Sequence, residues 1–196
     1  MRALFAGRGI AVIDLVDAAV VERVDEEEAV EAFETVEENA LAKARYYAAR
    51  VPGRIVVADD SGLEVDALQG QPGVRSKRWC AAAGLEGAAL VSANNATLLA
   101  RLQGTGNRRA RFVCAAAWCD GERTMVGYGA VEGRIVDEPR GAHGFGYDPY
   151  FFVEELGLTM AEASVAEKEA VSHRGRAFSH LLAMFDDAAL RVASAT

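Results

Sequence analysis

Glu38 and the adjacent pair Asp59 and Asp60 are the residues of this chain best suited to metal chemistry. Mg²⁺ is a hard ion that takes few protein carboxylates, keeps waters, and fills its shell with substrate phosphate oxygens. A helix carboxylate beside a strand-end carboxylate would suit it. The same residues have a plainer use. Glu38 can serve as the third residue of a capping box, and the aspartates can stabilise a turn. Spacing alone leaves both readings open. In an extended segment successive side chains point to opposite faces, so at most one of Asp59 and Asp60 would face a given cleft.

The string Gly144-Phe145-Gly146-Tyr147-Asp148-Pro149 offers different chemistry. Flanking glycines let backbone approach a flat ligand, and the Phe145 ring could stack on a base. Asp148 could accept hydrogen bonds from ring or sugar donors. An aromatic-anchored turn explains the string equally well. A third group is Lys168 with Ser172-His173-Arg174. Lys168 is a point charge for phosphate. His173 and Arg174 fall at an expected helix N-terminus, where backbone amides favour anions or carbonyl oxygens. Positive side chains there oppose the helix dipole, which weighs toward a functional role. Zinc is poorly served: His173 and His180 are seven apart, and His143 has no paired ligand nearby. Walker, GxGxxG and GxSxG signatures are missing.

The elements that must carry these residues follow from pattern. Thr35 with Glu38 makes a capping box, opening a helix to Arg50 with an apolar stripe of Val36, Ala40, Ala44, Tyr47 and Val51. Glu38 lies roughly 140° from the stripe centre and points away from the core. Ile55 to Ala58 predicts a buried strand, and Asp59-Asp60-Ser61-Gly62 a tight turn. Leu85 to Leu102 is a helix and Arg111 to Trp118 a strand. Asp120-Gly121 is a hairpin turn and Thr124 to Ala130 the returning strand, with Gly133 to Val136 continuing the β region. Gly141 to Gly146 is a loop, and Tyr150 to Val153 a strand. Ser164 with Glu167 is a second capping box. Ser172 caps a last helix that buries Ala177, Leu181, Phe185 and Ala188. Helices mixed with antiparallel strands give an α/β or α+β architecture.

Composition bounds the function. The 196 residues favour one domain over 1–196, and 51% hydrophobic content allows a real core. A net charge of -8 argues against broad nucleic-acid or anionic-membrane binding. It leaves room for a small anionic substrate, since a metal and a few basic side chains reverse the sign locally. No run of 18 apolar residues and no signal-peptide pattern occurs. Cys80, Cys114 and Cys119 read as reduced, buried thiols of a cytoplasmic protein. The run Asp25 to Glu28 reads as a solvated surface segment.

With these residues in hand, the chain resembles the inosine-triphosphate pyrophosphatase family of nucleotide hydrolases. Five pieces carry the likeness, in family order: Glu38-Asn39-Ala40 with Lys43-Ala44; Ala58 to Leu63 with Val65-Asp66; Pro72-Gly73-Val74 with Ser76 and Arg78; Gly144 to Pro149; and Glu167-Lys168 with Ser172 to Gly175. Each is weak, and the ordered set is specific. The resemblance implies an elongated, two-lobed α/β fold with a central mixed sheet flanked by helices, dimeric and cytoplasmic. It implies hydrolysis of ITP, dITP and XTP to monophosphate and pyrophosphate. Glu38 and Asp60 would hold Mg²⁺. Asp60, aided by Asp59, would activate water. Ser61, Lys43 and Lys168 would contact substrate, Phe145 would stack on the base, and Gly146, Tyr147, Asp148, His173 and Arg174 would surround it. Other readings are a catalytically impaired nucleotide-binding relative and a metal-dependent phosphohydrolase of another nucleotide. The family usually opens with a strand and a phosphate-holding loop. Here Met1 to Gly7 looks like the helix after that loop, and Gly9 to Ile13 like the second strand, so strand and loop are expected to be missing; the alternative is that residues 2 to 6 replace the strand, with Arg8 a poor stand-in for the loop's lysine.

Overall fold

A computed structural model describes residues 2–21, 26, 29–80 and 84–193, with side chains to residue 185. In chain order the elements are α1 (Arg2–Ala6), α2 (Val36–Ala48), β1 (Val56–Val65), β2 (Pro72–Gly73), α3 (Gly87–Arg101), β3 (Arg109–Cys119) and β4 (Thr124–Ile135). Then follow β5 (Phe151–Val153), β6 (Leu158–Thr159), α4 (Val165–Val171) and α5 (His173–Ala193). Short 3₁₀ turns cover Asp66–Leu68 and Ser76–Arg78. The strands form a six-stranded sheet in the order β2-β1-β3-β4-β5-β6. β1 pairs antiparallel with β2, as do β4 with β5 and β5 with β6. Helices with antiparallel strands bear out the expected α/β class.

α2 starts where its cap dictates. Thr35 is extended, and its hydroxyl oxygen accepts from the Glu38 amide at 3.2 Å. The Glu38 carboxylate in turn accepts from that hydroxyl at 2.8 Å. Val36, Ala40, Ala44 and Tyr47 are buried, Val51 is half-buried, and Glu38 is exposed, as the stripe requires. The second capping box, Ser164 with Glu167, is complete at α4.

β1 overturns one expectation. The chain runs extended through Asp59-Asp60-Ser61-Gly62 instead of turning there. Gly62 serves close approach: a β-carbon on it would overlap the Gly73 carbonyl of β2. A second expectation also fails. Gly9 to Ile13 is not a strand, because the amides of Gly9 and Ile10 bond back to Ala6 and Phe5 and wrap the chain around the end of α1. The hairpin holds as read, with the Asp120 amide donating to the Arg123 carbonyl at 3.2 Å.

The chain divides into two compact units. The first comprises Met1–Asp60, Cys114–Gly129 and His173–Thr196. Its core packs Phe5 of α1 with Cys114, Ala116 and Trp118 of β3 and Phe178 and Leu181 of α5. Phe5 meets Phe178 edge-on at 5.9 Å between ring centres. α5 lies so close to β4 that a β-carbon at Gly129 would overlap the His173 carbonyl and the Ala177 amide. The second unit comprises Ser61–Val113 and Ala130–Ser172, and its core holds Leu63, Val65, Leu98, Leu102, Phe151 and Val153. Burying each such side chain contributes about 1.5–3 kcal/mol.

Cys114 and Cys119 are buried and Cys80 is half-buried, all as free thiols. Glu26 is more than solvated: it accepts from Tyr46 and pairs with Arg50 at 2.8 Å. Asp25, Glu27, Glu28 and the side chain of Ala188 lie outside the described residues. No described helix is long and apolar enough to cross a membrane.

Candidate active site

In the first unit β1 and α2 place the carboxylates. Because β1 stays extended, Asp59 and Asp60 project to opposite faces. Asp60 Oδ2 accepts from the Asn39 amide nitrogen at 3.2 Å. Asn39 follows Glu38 directly and is buried, so Asp60 lies against the same turn of α2 that carries Glu38. The Asn39 side chain is itself fixed, accepting from the Phe33 amide at 3.0 Å and donating to the Phe33 carbonyl. Asn39 is a positioning group whose role pattern reading did not single out. The available signal was an Asn inside a helix, where Asn is disfavoured unless its side chain is used.

Asp59 has another company. Its Oδ2 accepts from Arg174 Nε at 2.7 Å and from the Cys114 thiol at 3.8 Å. The acidic strand and the closing motif, 115 residues apart in sequence, are thereby joined. Burial works against the Arg174 charge, yet the Asp59 carboxylate outweighs it and holds the pKa above its usual value. Burial first, then the Asp59 charge, pushes the Cys114 thiol up, so it stays protonated. Burial, with the Arg174 charge, depresses His173 to about 4, so the ring is neutral at neutral pH. Lys43 donates to the Asp59 carbonyl at 2.9 Å and pairs with Glu31, which ties α2 to the backbone of β1.

In the second unit Asp148 organises the glycine-flanked loop. Its carboxylate accepts from the Phe145 amide at 3.3 Å and pairs with Lys168 at 3.0 Å. The loop and the closing motif thus meet here too. Phe145 is 78% exposed, which leaves its face open for stacking. Tyr147 is buried and donates its hydroxyl to the Ser76 carbonyl at 2.9 Å. Burial pushes that phenol well up. Ser76 also receives the Leu63 amide at 2.7 Å and donates to the Gly73 carbonyl at 2.6 Å. Ser61 is half-buried within β1. Asn95 donates to the Gly146 carbonyl at 3.1 Å, a contact that sequence pattern did not reveal.

The Ham1 family model matches residues 1–184. The chain belongs to the Ham1 family. Among Ham1 relatives it is 46% identical over 184 residues to a dITP/XTP pyrophosphatase of Burkholderia pseudomallei, covering 92% of this chain and 84% of that one. It is 44% identical over 188 residues to a dITP/XTP pyrophosphatase of Bacillus licheniformis, covering 95% and 91%. A solved Ham1 protein from Coxiella burnetii superposes with TM-score 0.80 at 33% identity, over 95% of this chain and 91% of its own. The Ham1 fold therefore holds along almost the whole chain.

Among the described residues of this Ham1 chain there is no cluster of three or more His, Cys, Asp or Glu that could hold a metal. Mg²⁺ needs fewer, since it binds through one or two carboxylates plus substrate phosphates. Asp60 is bonded to Asn39, the residue after Glu38, and both Asp60 and Glu38 carry hard oxygen donors. The donor chemistry fits Mg²⁺.

Proposed function

We propose that this chain hydrolyses ITP, dITP and XTP to the nucleoside monophosphate and pyrophosphate. The observation that carries it is the likeness to dITP/XTP pyrophosphatases at close to half identity over more than nine-tenths of the chain. In this reading residues 1–196 act as one nucleotide-pyrophosphatase domain, cytoplasmic and homodimeric. Glu38 and Asp60 would hold Mg²⁺, which supplies charge neutralisation on the triphosphate. Asp60 orients the attacking water and takes its proton, and Asn39 fixes the carboxylate for that task. The water oxygen bonds to the α-phosphorus, the bond to the bridging oxygen breaks, and pyrophosphate leaves. Lys43, Ser61 and Lys168 contact the substrate, and Asp59 sets the orientation of Arg174.

Base choice falls to the loop and the start of α5. Phe145 stacks on the purine, with Gly146 allowing the approach, Asp148 accepting from the base edge and Tyr147 anchoring the loop through Ser76. Arg174 donates to a 6-oxo group, with neutral His173 beside it. The 6-amino group of adenine leaves such donors unpaired, which costs binding.

Pyrophosphate release from ITP, XTP, GTP and ATP, with Mg²⁺ and with chelator, tests this directly. Metal-dependent release from the first two, reduced at least about 100-fold in Asp60→Asn, is the expected result. Nucleotide binding without release in the wild-type chain would refute it.

A further inference from the structure

α3 carries two adjacent asparagines, Asn94 and Asn95, both more than nine-tenths buried. Asn is a poor helix residue, and burying its amide is costly unless its bonds are made. Asn94 makes them. It accepts from the Cys80 amide at 2.8 Å and donates to the Lys77 carbonyl at 3.0 Å, so it pins the segment after β2. Asn95 makes one, from its amide nitrogen to the Gly146 carbonyl, and its Oδ1 is buried without a hydrogen-bond partner. A leucine there would spare the helix that orphaned oxygen. The single bond to Gly146 therefore has a reason other than stability.

The neighbour of Gly146 supplies the reason. With Phe145 mostly exposed, little packing holds its ring in place. Its position must come from the backbone on either side. On one side the Phe145 amide is held by Asp148 at 3.3 Å. On the other the Gly146 carbonyl is held by Asn95 at 3.1 Å. Tyr147 fastens the same loop to Ser76, in the segment that Asn94 pins. α3 thus serves as the fixed bracket for this loop.

We infer that Asn95 is a positioning residue for nucleobase recognition, fixing the Gly146 carbonyl and with it the plane in which Phe145 meets the purine. This rests on the proposed function and adds to it a residue that never touches substrate. The loss expected from releasing the loop is in substrate affinity, since the carboxylates of β1 are untouched.

The test uses the full chain and three variants. Asn95→Leu and Asn95→Asp lack the donor, and Asn95→Gln keeps it. For ITP and XTP the first two should raise KM about tenfold with kcat within about twofold, and the Gln variant should recover most of the loss. Backbone amide exchange should accelerate at residues 145–147 in Asn95→Leu and stay unchanged along α3. A Leu variant with wild-type KM and wild-type exchange at 145–147 overturns the inference. So does a loss shared by kcat and KM with faster exchange along the whole helix, which marks a merely structural residue. Failure of the proposed function reads differently: the wild-type chain then releases no pyrophosphate, while the exchange comparison still decides whether Asn95 anchors the loop.

Discussion

In the proposed reading Arg174 joins two tasks through one guanidinium. Its Nε is bonded to Asp59, and in the proposed reading its remaining donors face the 6-oxo group. The pair is partly open to solvent, with 44% of the Arg174 side chain and 18% of the Asp59 side chain exposed. Screening then limits its worth to folding. Arg174→Ala should cost about 1 kcal/mol of stability or less. The cost to catalysis should be larger, about 10- to 100-fold in kcat/KM for ITP, since an oriented donor is lost. Arg174→Lys should not restore it, because an ammonium cannot hold Asp59 and a carbonyl oxygen in one plane. Urea titrations beside steady-state kinetics separate the two. Equal small losses in both would show that Arg174 serves folding alone.

At the scale of elements, the contact between α5 and β4 sets where the closing motif sits. Gly129 leaves no room for a β-carbon against the first turn of α5. Gly129→Ala should push that turn outward, displace His173 and Arg174, and destabilise the chain by about 1–3 kcal/mol. Loss of the Arg174–Asp59 contact in a crystal structure of the variant, with the 144–148 loop unmoved, is the expected signature. Elements of this size were partly legible in advance. α2, α3 and the β3–β4 hairpin follow from caps, period and an Asp-Gly turn, because those signals are local. Asp59-Asp60-Ser61-Gly62 carries turn-forming residues, since Asp and Gly usually mark turns, yet it runs extended. What overrides them is the neighbouring strand, which holds the segment extended, and the approach of Gly73, which needs glycine. β2 and β6 are two residues each, too short for any period to show. Gly9 to Ile13 has strand composition, but Ile10 and Ile13 are left partly exposed after the turn at α1. At the site the ordered motifs pointed to Glu38, Asp59, Asp60 and the 144–149 loop. The bonds from Asn39 and Asn95 depend on partners 21 and 51 residues away, which pattern does not encode.

Stability against acid is a property of the whole molecule, and His173 shapes it. An unfolded imidazole titrates near 6.5, while here burial lowers it to about 4. Between those values the unfolded chain binds a proton that the folded chain refuses. The stabilisation is complete above about pH 6.5 and is lost progressively as pH falls to 4, to a total of up to about 3 kcal/mol. Denaturant titrations at pH 7 and pH 4.5 should show a steeper decline in the wild-type chain than in His173→Gln. Equal slopes would contradict the burial argument.

The first unit is assembled from the two ends of the chain and a stretch of its middle. Phe5 belongs to a core whose other wall, Phe178 and Leu181, emerges from the ribosome much later. At about 5–20 residues per second, the ribosome leaves that phenylalanine without its partners for on the order of ten seconds or more. The second unit, complete once Ser172 has emerged, can gather its own core earlier. The segment around Phe5 is thus an apolar stretch in waiting during synthesis. It is a natural foothold for a chaperone, and a chain terminated before α5 would leave it without these partners for good.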